Sequence, residues 1–525
     1  MKKIDLKKNK RKKSFYLFLV VCAQIILIAF FINQIDFLKQ LNLDLITKSL
    51  LPSYKIKLSE HQKYLKNSDP VVYAKSLPVL VYHGVISKGD ASNIIIDDFR
   101  NQMVYLKSKG YETITLEDLY GFLKNGKELP EKSFLLTFDD GRKDSYYPVD
   151  PILDALGYKA VMFIISNHSL FESSRYYLNK VELSKMLVSG RWEIQAHSKN
   201  GHDLFNINEQ NEKGYFYSNK LWLSEKNRLE THDEYIQRIT TDLGGVKKDI
   251  QDVLKTKVTS FAYPFGDYGQ VQKNNPSAID DIAKVMNKNF KMSFVQLKQN
   301  EVFSQNYFNA EKESTGSAVV KRIEIGPDWN QEDLLTKMEI GVSKQLPFED
   351  DFKSNKGWVK TRGDLYHEND SLFIASTVDR SGGSTFLDGT LAWTDYLFSA
   401  FVDLKKGESV SLISRYRDGN NYISCNFTSK YTSIRQRVEG KDIKLAESKN
   451  SSKTRTRISL LNMNELSLKM AVNKDRVGCS INGTEIISAK KVSNTLLTGG
   501  IGFQTWDKTL NNSEVVIKNV NVSTN

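Results

Sequence analysis

Ser133–Gly141 reads SFLLTFDDG. Phe134 to Phe138 are apolar or β-branched, two adjacent carboxylates follow, and a glycine closes the run. An apolar stretch of this length ending in a turn residue predicts a strand buried on both faces in a parallel α/β sheet. Asp139 and Asp140 then sit at the strand's C-terminal end, where α/β folds place their chemistry. Neighbouring residues on a strand point to opposite sides, so the two carboxylates take different tasks. One can ligate a metal ion while the other handles a proton. The bland alternative is a solvated turn, since Asp-Asp-Gly is common in loops, and the rest of the chain decides between them.

On either side, short apolar runs alternate with helical patterns between residues 76 and 342. The runs are Val79–Tyr82, Phe134–Phe138, Ala160–Ile165, Trp192–Ala196, Ser260–Tyr263 and Met292–Val295. The helical stretches include Asp97–Lys109, Leu116–Lys124, Val181–Val188 and His232–Leu254. This βαβ punctuation predicts a parallel sheet closed, or nearly closed, into a distorted (β/α) barrel. From about residue 346 the helical period disappears. Short alternating strands are broken by turns such as Asn482-Gly483 and Gly499-Gly500, which predicts an all-β antiparallel sandwich of the jelly-roll kind.

At the other end, Ser14–Ile32 holds nineteen residues without a charge, enough to cross a bilayer as a helix. The basic run ahead of it predicts a cytoplasmic N-terminus. No small-x-small cleavage site follows at Asn33–Asp36, so a retained signal anchor is favoured over a cleaved signal peptide. The expected organisation is therefore a basic tail (1–13), an anchor (14–32), a stalk (33–75), the barrel (76–342) and the sandwich (346–525), with everything after the anchor outside the cytoplasm.

The formal charge of +12 over 525 residues suggests nucleic acid until it is located. Residues 1–13 carry eight Lys or Arg and one Asp, so +7 of the +12 lies in that tail. No nucleic-acid partner is expected. The three cysteines, Cys22, Cys425 and Cys479, form no CxxC, which argues against a thiolate zinc site. Cys425 and Cys479 lie in the same region, and the sequence leaves their pairing open.

Of seven histidines, two fall together in QAHSKNGHDL, directly after the run Trp192–Ala196. A strand end again puts His197 and His202 on the face that carries Asp139 and Asp140. Two imidazoles and one carboxylate make a three-ligand site with open positions for water and substrate. In Ser260–Gly269, SFAYPFGDYG, a strand runs into Pro264 and Gly266. Such a turn can aim backbone N–H groups at a developing oxyanion. His83 ends the first barrel run in LPVLVYHGV, where it can be a general acid or a packed histidine.

TFDDG (Thr137–Gly141), HSKNGH (His197–His202) and FAYPFG (Phe261–Gly266) occur in the order found in polysaccharide deacetylases, carbohydrate esterase family 4. The resemblance extends to LPVLVYHGV and to RIEIGPDWNQEDLL at Arg322–Leu335, covering roughly residues 76–342. The second histidine stands one residue later than in many members. That spacing, with the Tyr-His of the first strand, looks like the branch that de-N-acetylates poly-N-acetylglucosamine exopolysaccharide in biofilms. The resemblance implies that Asp140, His197 and His202 bind a divalent metal, zinc being favoured, and that Asp139 is the general base. It further implies that the Tyr263–Pro264–Phe265 loop lends the Phe265 N–H to the oxyanion. The arginine usual just ahead of that loop is missing, leaving Arg142 or Arg322 to orient Asp139. The late leucine-x-histidine motif that supplies the general acid is missing too, and His83 is its natural substitute.

Residues 346–525 resemble, more loosely, laminin-G and concanavalin-like sandwiches appended to carbohydrate-active enzymes, through DDFKSNKGW, INGTEI and GGIGFQTWD. Trp358, Trp393, Tyr396, Tyr416, Tyr422 and Trp506 are candidates for a sugar-stacking surface, core packing being the alternative. The expectation for the whole is a membrane-anchored enzyme that removes acetyl groups from an extracellular polysaccharide, alongside exopolysaccharide synthesis machinery. Its rivals are a peptidoglycan N-acetylglucosamine deacetylase, an O-acetyl esterase, and an inactive glycan-binding scaffold.

Overall fold

The computed structural model describes residues 72–296, 303–312, 314–449 and 466–524. The segment read as an anchor, Ser14–Ile32, lies outside the described residues, as do the basic tail and nearly all of the stretch read as a stalk. Among the described residues, no helix is long and apolar enough to cross a membrane. They fall into two units. One runs over Asp69–Ser145 and Lys159–Asn525 and holds nearly everything; the other contributes Tyr146–Tyr158. The latter is a short helix, Asp150–Leu156, with proline in its first turn and Gly157 in the left-handed region (φ 66°) just past its end.

In the larger unit, seven parallel strands close into a barrel. They are β1 (Val79–Tyr82), β2 (Ser133–Phe138), β3 (Ala160–Ile164), β4 (Trp192–Ala196), β5 (Ser260–Ala262), β6 (Met292–Gln296) and β7 (Ala318–Glu324). Each pairs with its neighbours in chain order, and β7 returns to β1. Pairing of β1 with β2, from Val79 opposite Leu135 to Tyr82 opposite Phe138, completes the ring. The whole of β2 is buried. Strands covered on both faces need apolar residues on both, which is why β2 reads as a continuous run rather than an alternation. Leu135, Val161, Phe163, Ala262, Phe294 and Val320 belong to one buried cluster.

The helix that matters most to the site is His232–Leu254. Thr231 and Glu234 cap its start reciprocally. Its buried residues Tyr235, Ile239, Asp242, Leu243, Val246 and Ile250 recur every three or four positions. That spacing is one helical face, and a carboxylate stands in the middle of it.

The described residues of 348–523 form a two-sheet antiparallel sandwich. The longest strands of one sheet are Tyr396–Lys406 and Glu514–Ser523, side by side; the other is centred on Ser409–Asp418 and Gly500–Trp506. A disulfide joins Cys425 of one sheet to Cys479 of the other, closing the question the sequence left open. The aromatic residues largely answer to packing. Trp358, Trp393, Tyr396 and Tyr416 are buried, Tyr422 is half-buried, and Trp506 alone of the six is well exposed (40%). A stacking surface made of all six is therefore excluded: four of them are core. The sandwich meets the barrel through Phe303, whose ring packs on Phe386 and Tyr416, and through Ser304, whose N–H and hydroxyl donate to Asp388.

Candidate active site

The ends of β2, β4 and β5 converge, and the chain bends sharply at each. Asp140 and Gly141 follow β2 with φ of 69° and 72°, Ser198 follows His197 with φ 84°, and Phe265 has φ 57°. Non-glycine residues held in this region cost free energy and persist where the surroundings over-determine them, most often at functional sites. Gly141 has a second reason to be glycine. A Cβ there would stand 2.9 Å from Ser169 Oγ and 3.0 Å from Ile164.

The adjacent carboxylates take different partners, the chain turning at Asp140 (φ 69°) just past the end of β2. Asp139 is fully buried, and its two oxygens accept from Arg322 Nη1 and Nη2 at 2.6 and 2.7 Å. This bidentate geometry is the strongest that a carboxylate and a guanidinium make. Arg322, on β7, is itself wholly enclosed, with its guanidinium 5.6 Å from the centre of the Phe163 ring. Burial pushes the Asp139 carboxyl up. The charge of Arg322 and the hydrogen bonds from it outweigh burial and hold the carboxyl below the usual range.

Asp140 turns the other way, toward the histidines. Its Oδ1 lies 3.4 Å from His197 Nε2 and 3.0 Å from His202 Nε2. His197 Nδ1 is 2.8 Å from the Ala262 carbonyl, so that nitrogen carries the proton and donates it. The lone pair of His197 Nε2 is then left facing Asp140, whose Oδ1 is buried without a hydrogen-bond partner. Two acceptors in apposition repel; a cation between them is attracted to both. One ligand atom from each of Asp140, His197 and His202 lies within 4.8 Å of the others. Two imidazoles and a carboxylate, one imidazole fixed through its far nitrogen, fit a divalent first-row ion.

Of the loop residues, only Phe265 faces this cluster. Its ring is 46% exposed, 4.6 Å from that of His202 and 5.1 Å from that of Tyr215. Tyr263 and Pro264 are buried, Tyr263 packing on Phe261 and Tyr217. Asp267 escaped the sequence reading. It is buried and accepts from the N–H of Ser218 at 3.0 Å and from the Ser218 hydroxyl, tying the loop to the segment after the second histidine.

His83, just past β1, is half-buried at the barrel mouth. It lines a cavity of about 410 Å³ with Asn93, Arg142, Glu324 and Gly326, and its charge is among those that lower the Asp139 carboxyl. Arg142 does not reach Asp139. Its Nε and Nη2 donate to Asp144 at 2.8 and 2.7 Å, and its guanidinium lies 5.0 Å from the centre of the Tyr176 ring. Of the two arginines left open by the sequence, Arg322 is the one on Asp139, and the Arg142 alternative is corrected. No spacing rule finds Arg322, because it comes from β7, which meets β2 only through β1, rather than from a loop.

A parallel barrel with a two-histidine, one-aspartate cluster beside a buried carboxylate–guanidinium pair defines the class: an α/β barrel whose strand ends carry a cluster able to hold a metal ion. Comparison narrows it. Residues 126–276 match the family described as polysaccharide deacetylase, so the resemblance carried by TFDDG, HSKNGH and FAYPFG is to that family. The poly-beta-1,6-N-acetyl-D-glucosamine N-deacetylase of Escherichia coli is 25% identical over 198 residues, covering 35% of this chain and 29% of that protein. The protein of the same name from Staphylococcus aureus is 28% identical over 219 residues, covering 41% of this chain and 68% of its own length. The solved structure of a de-N-acetylase from Aggregatibacter actinomycetemcomitans is covered to 99% by half of this chain, at 22% identity and a TM-score of 0.40. The chain thus spans less than a third of the E. coli relative and about two thirds of the S. aureus one.

Proposed function

We propose that this protein is a metal-dependent N-deacetylase of an extracellular N-acetylhexosamine polysaccharide of the poly-N-acetylglucosamine type, anchored in the membrane by residues 14–32. The observation that carries the reading is the convergence of Asp140, His197 and His202 beside Asp139, with Asp139 clamped by Arg322. The names of the E. coli and S. aureus relatives support the substrate. The Cys425–Cys479 disulfide supports an extracytoplasmic location, since such bonds persist in oxidising compartments. Residues 76–342 are the catalytic domain and 346–525 an appended sandwich, working beside the machinery that makes the polymer.

Asp140, His197 and His202 would hold the metal, zinc being the ion that suits this donor set best. A divalent ion bound there supplies Lewis acidity to the acetamide carbonyl and acidifies a water. Asp139 takes the proton of the attacking water on a carboxylate oxygen. Arg322 keeps that carboxylate ionised and fixed in direction. The Phe265 N–H donates to the developing oxyanion. His83 gives a proton to the leaving amine nitrogen, so that acetate and a free glucosamine unit depart.

Purified full-length protein in detergent, offered poly-N-acetylglucosamine oligomers or peptidoglycan, is expected to release acetate from the oligomers. Chelation should stop the release and added Zn²⁺ should restore it. No release from either polymer by the metal-loaded protein would sink the enzymatic reading. Release from peptidoglycan alone would move the substrate. His83→Ala should lower kcat by roughly 10²–10⁴-fold, the usual contribution of a general acid, with zinc content unchanged. An unaltered kcat would take His83 out of the chemistry.

A further inference from the structure

His197 and His202 are separated by Ser198–Gly201, and this loop is held from outside the barrel by one face of the helix His232–Leu254. Asp242 on that helix is only 4% exposed. Its Oδ1 accepts from the Lys199 N–H at 3.1 Å and from the Tyr217 hydroxyl; its Oδ2 accepts from the Asn200 N–H at 2.7 Å. One turn further along, Gly245 leaves room for the Lys199 stem. A Cβ at 245 would stand 3.0 Å from Lys199 Cδ. One more turn on, Asp249 pairs with Lys199 Nζ at 3.0 Å and accepts from the Ser166 hydroxyl at 2.9 Å. The Ser166 N–H in turn donates to the Ser198 carbonyl at 3.1 Å. Residues 242, 245 and 249 follow the three-and-four spacing that puts side chains on one helix face.

These contacts land on backbone that needs holding. Ser198 sits at φ 84°, a conformation that costs free energy for a residue with a Cβ. The far end of the loop, Gly201, passes so close to Phe216 and Tyr217 that a Cβ would stand 2.8 and 3.1 Å from them. A buried carboxylate is costly unless donors satisfy it. Asp242 has three, two of them N–H groups of this loop.

We propose that the Asp242–Gly245–Asp249 face is a positioning device for the metal site, holding residues 198–201 so that the Nε2 atoms of His197 and His202 converge on Asp140. Asp242 is its principal positioning residue. The inference rests on reading Asp140, His197 and His202 as metal ligands. It adds that this helix, which supplies no ligand, sets the affinity for the divalent cation.

The test uses full-length protein in detergent, titrated calorimetrically with Zn²⁺ alone and examined by visible absorption with Co²⁺ alone. Asp242→Ala is expected to bind Zn²⁺ roughly 10- to 100-fold more weakly, the usual cost of losing a group that orients ligands, and to give an altered Co²⁺ spectrum. Should that variant fail to fold, Gly245→Leu serves in its place. It replaces glycine in a helix by a better helix former and pushes on the Lys199 stem. Its melting temperature should be no lower, yet Zn²⁺ binding should weaken by about tenfold. Folded variants with unchanged Zn²⁺ affinity and Co²⁺ spectrum would overturn the positioning role. Failure of the unaltered protein to bind either ion would overturn the ligand assignment, and this inference with it.

Discussion

Asp139→Asn is expected to cut kcat by roughly 10²–10⁴-fold, the range for losing a general base, while the protein still binds zinc. The substitution keeps the shape of the side chain and leaves Asp140, His197 and His202 untouched. What goes is the capacity to accept a proton. The structure adds a second consequence, because the Asp139 carboxylate is also the counter-charge of a fully enclosed guanidinium. An asparagine Oδ1 can still accept from one Arg322 nitrogen, but its amide group confronts the other donor with a donor. Breaking a buried ion pair from one side costs about 3–5 kcal/mol, so a falling melting temperature should accompany the lost turnover. Zinc stoichiometry, kcat and the melting curve of the same preparation separate the effects. If Asp139→Asn instead strips the metal, the roles of the two aspartates are reversed. A decline in kcat smaller than tenfold would mean that Asp139 is not the base.

The parts of this arrangement that the sequence displays are those whose neighbours are covalent. β2 is legible because burial on both faces leaves the apolar or β-branched run Phe134–Phe138 before the aspartates, and β4 because Trp192, Ile194 and Ala196 alternate with Glu193 and Gln195. The helices Leu116–Lys124 and His232–Leu254 show in their spacing and in the caps Thr115 and Thr231. β7 is not legible as a strand. Its sequence AVVKRIE carries Lys321 and Arg322 where a barrel strand should be apolar. The same charge that hides the strand is the one that holds Asp139. Closure of the barrel by β1 on β2 has no local signature either, since pairing is a relation between runs rather than a property of one. Asp242 and Asp267 belong to no motif, and their role depends on backbone N–H groups of distant loops. For Asp242 a signal existed: a carboxylate at the spacing of Ile239, Val246 and Ile250 lies on the apolar face of an amphipathic helix, and a charge there must be answered by donors. In the sandwich, sequence shows where aromatic residues are but not which sheet face each takes. The buried tryptophans Trp358 and Trp393 therefore read equally well as surface.

Arg322→Met separates orientation of the base from mere filling of the barrel. Methionine keeps much of the volume and of the contact with Phe163, but removes the charge and both hydrogen bonds to Asp139. In the unaltered protein the Asp139 carboxyl titrates below its unfolded value, close to 3.9 for a free aspartate. A depressed acid binds fewer protons folded than unfolded. Its stabilisation is therefore complete above that unfolded value and is lost as pH falls through the folded one. Without Arg322, burial becomes the dominant influence and drives the carboxyl up, so the sign reverses. The folded state then holds the proton more tightly than the unfolded chain does, and stability falls as pH rises. Arg322→Met should accordingly melt lower than the unaltered protein at about pH 7 and recover part of the difference at about pH 5. Its activity should fall as well, with the acid limb of kcat/KM displaced to higher pH, because the base stays protonated over a wider range. A packing role alone would lower the melting temperature at both pH values alike and leave the acid limb in place. The displaced limb is thus the result that ties the guanidinium to the proton on Asp139, and an unmoved limb in a folded, zinc-loaded variant would break that tie.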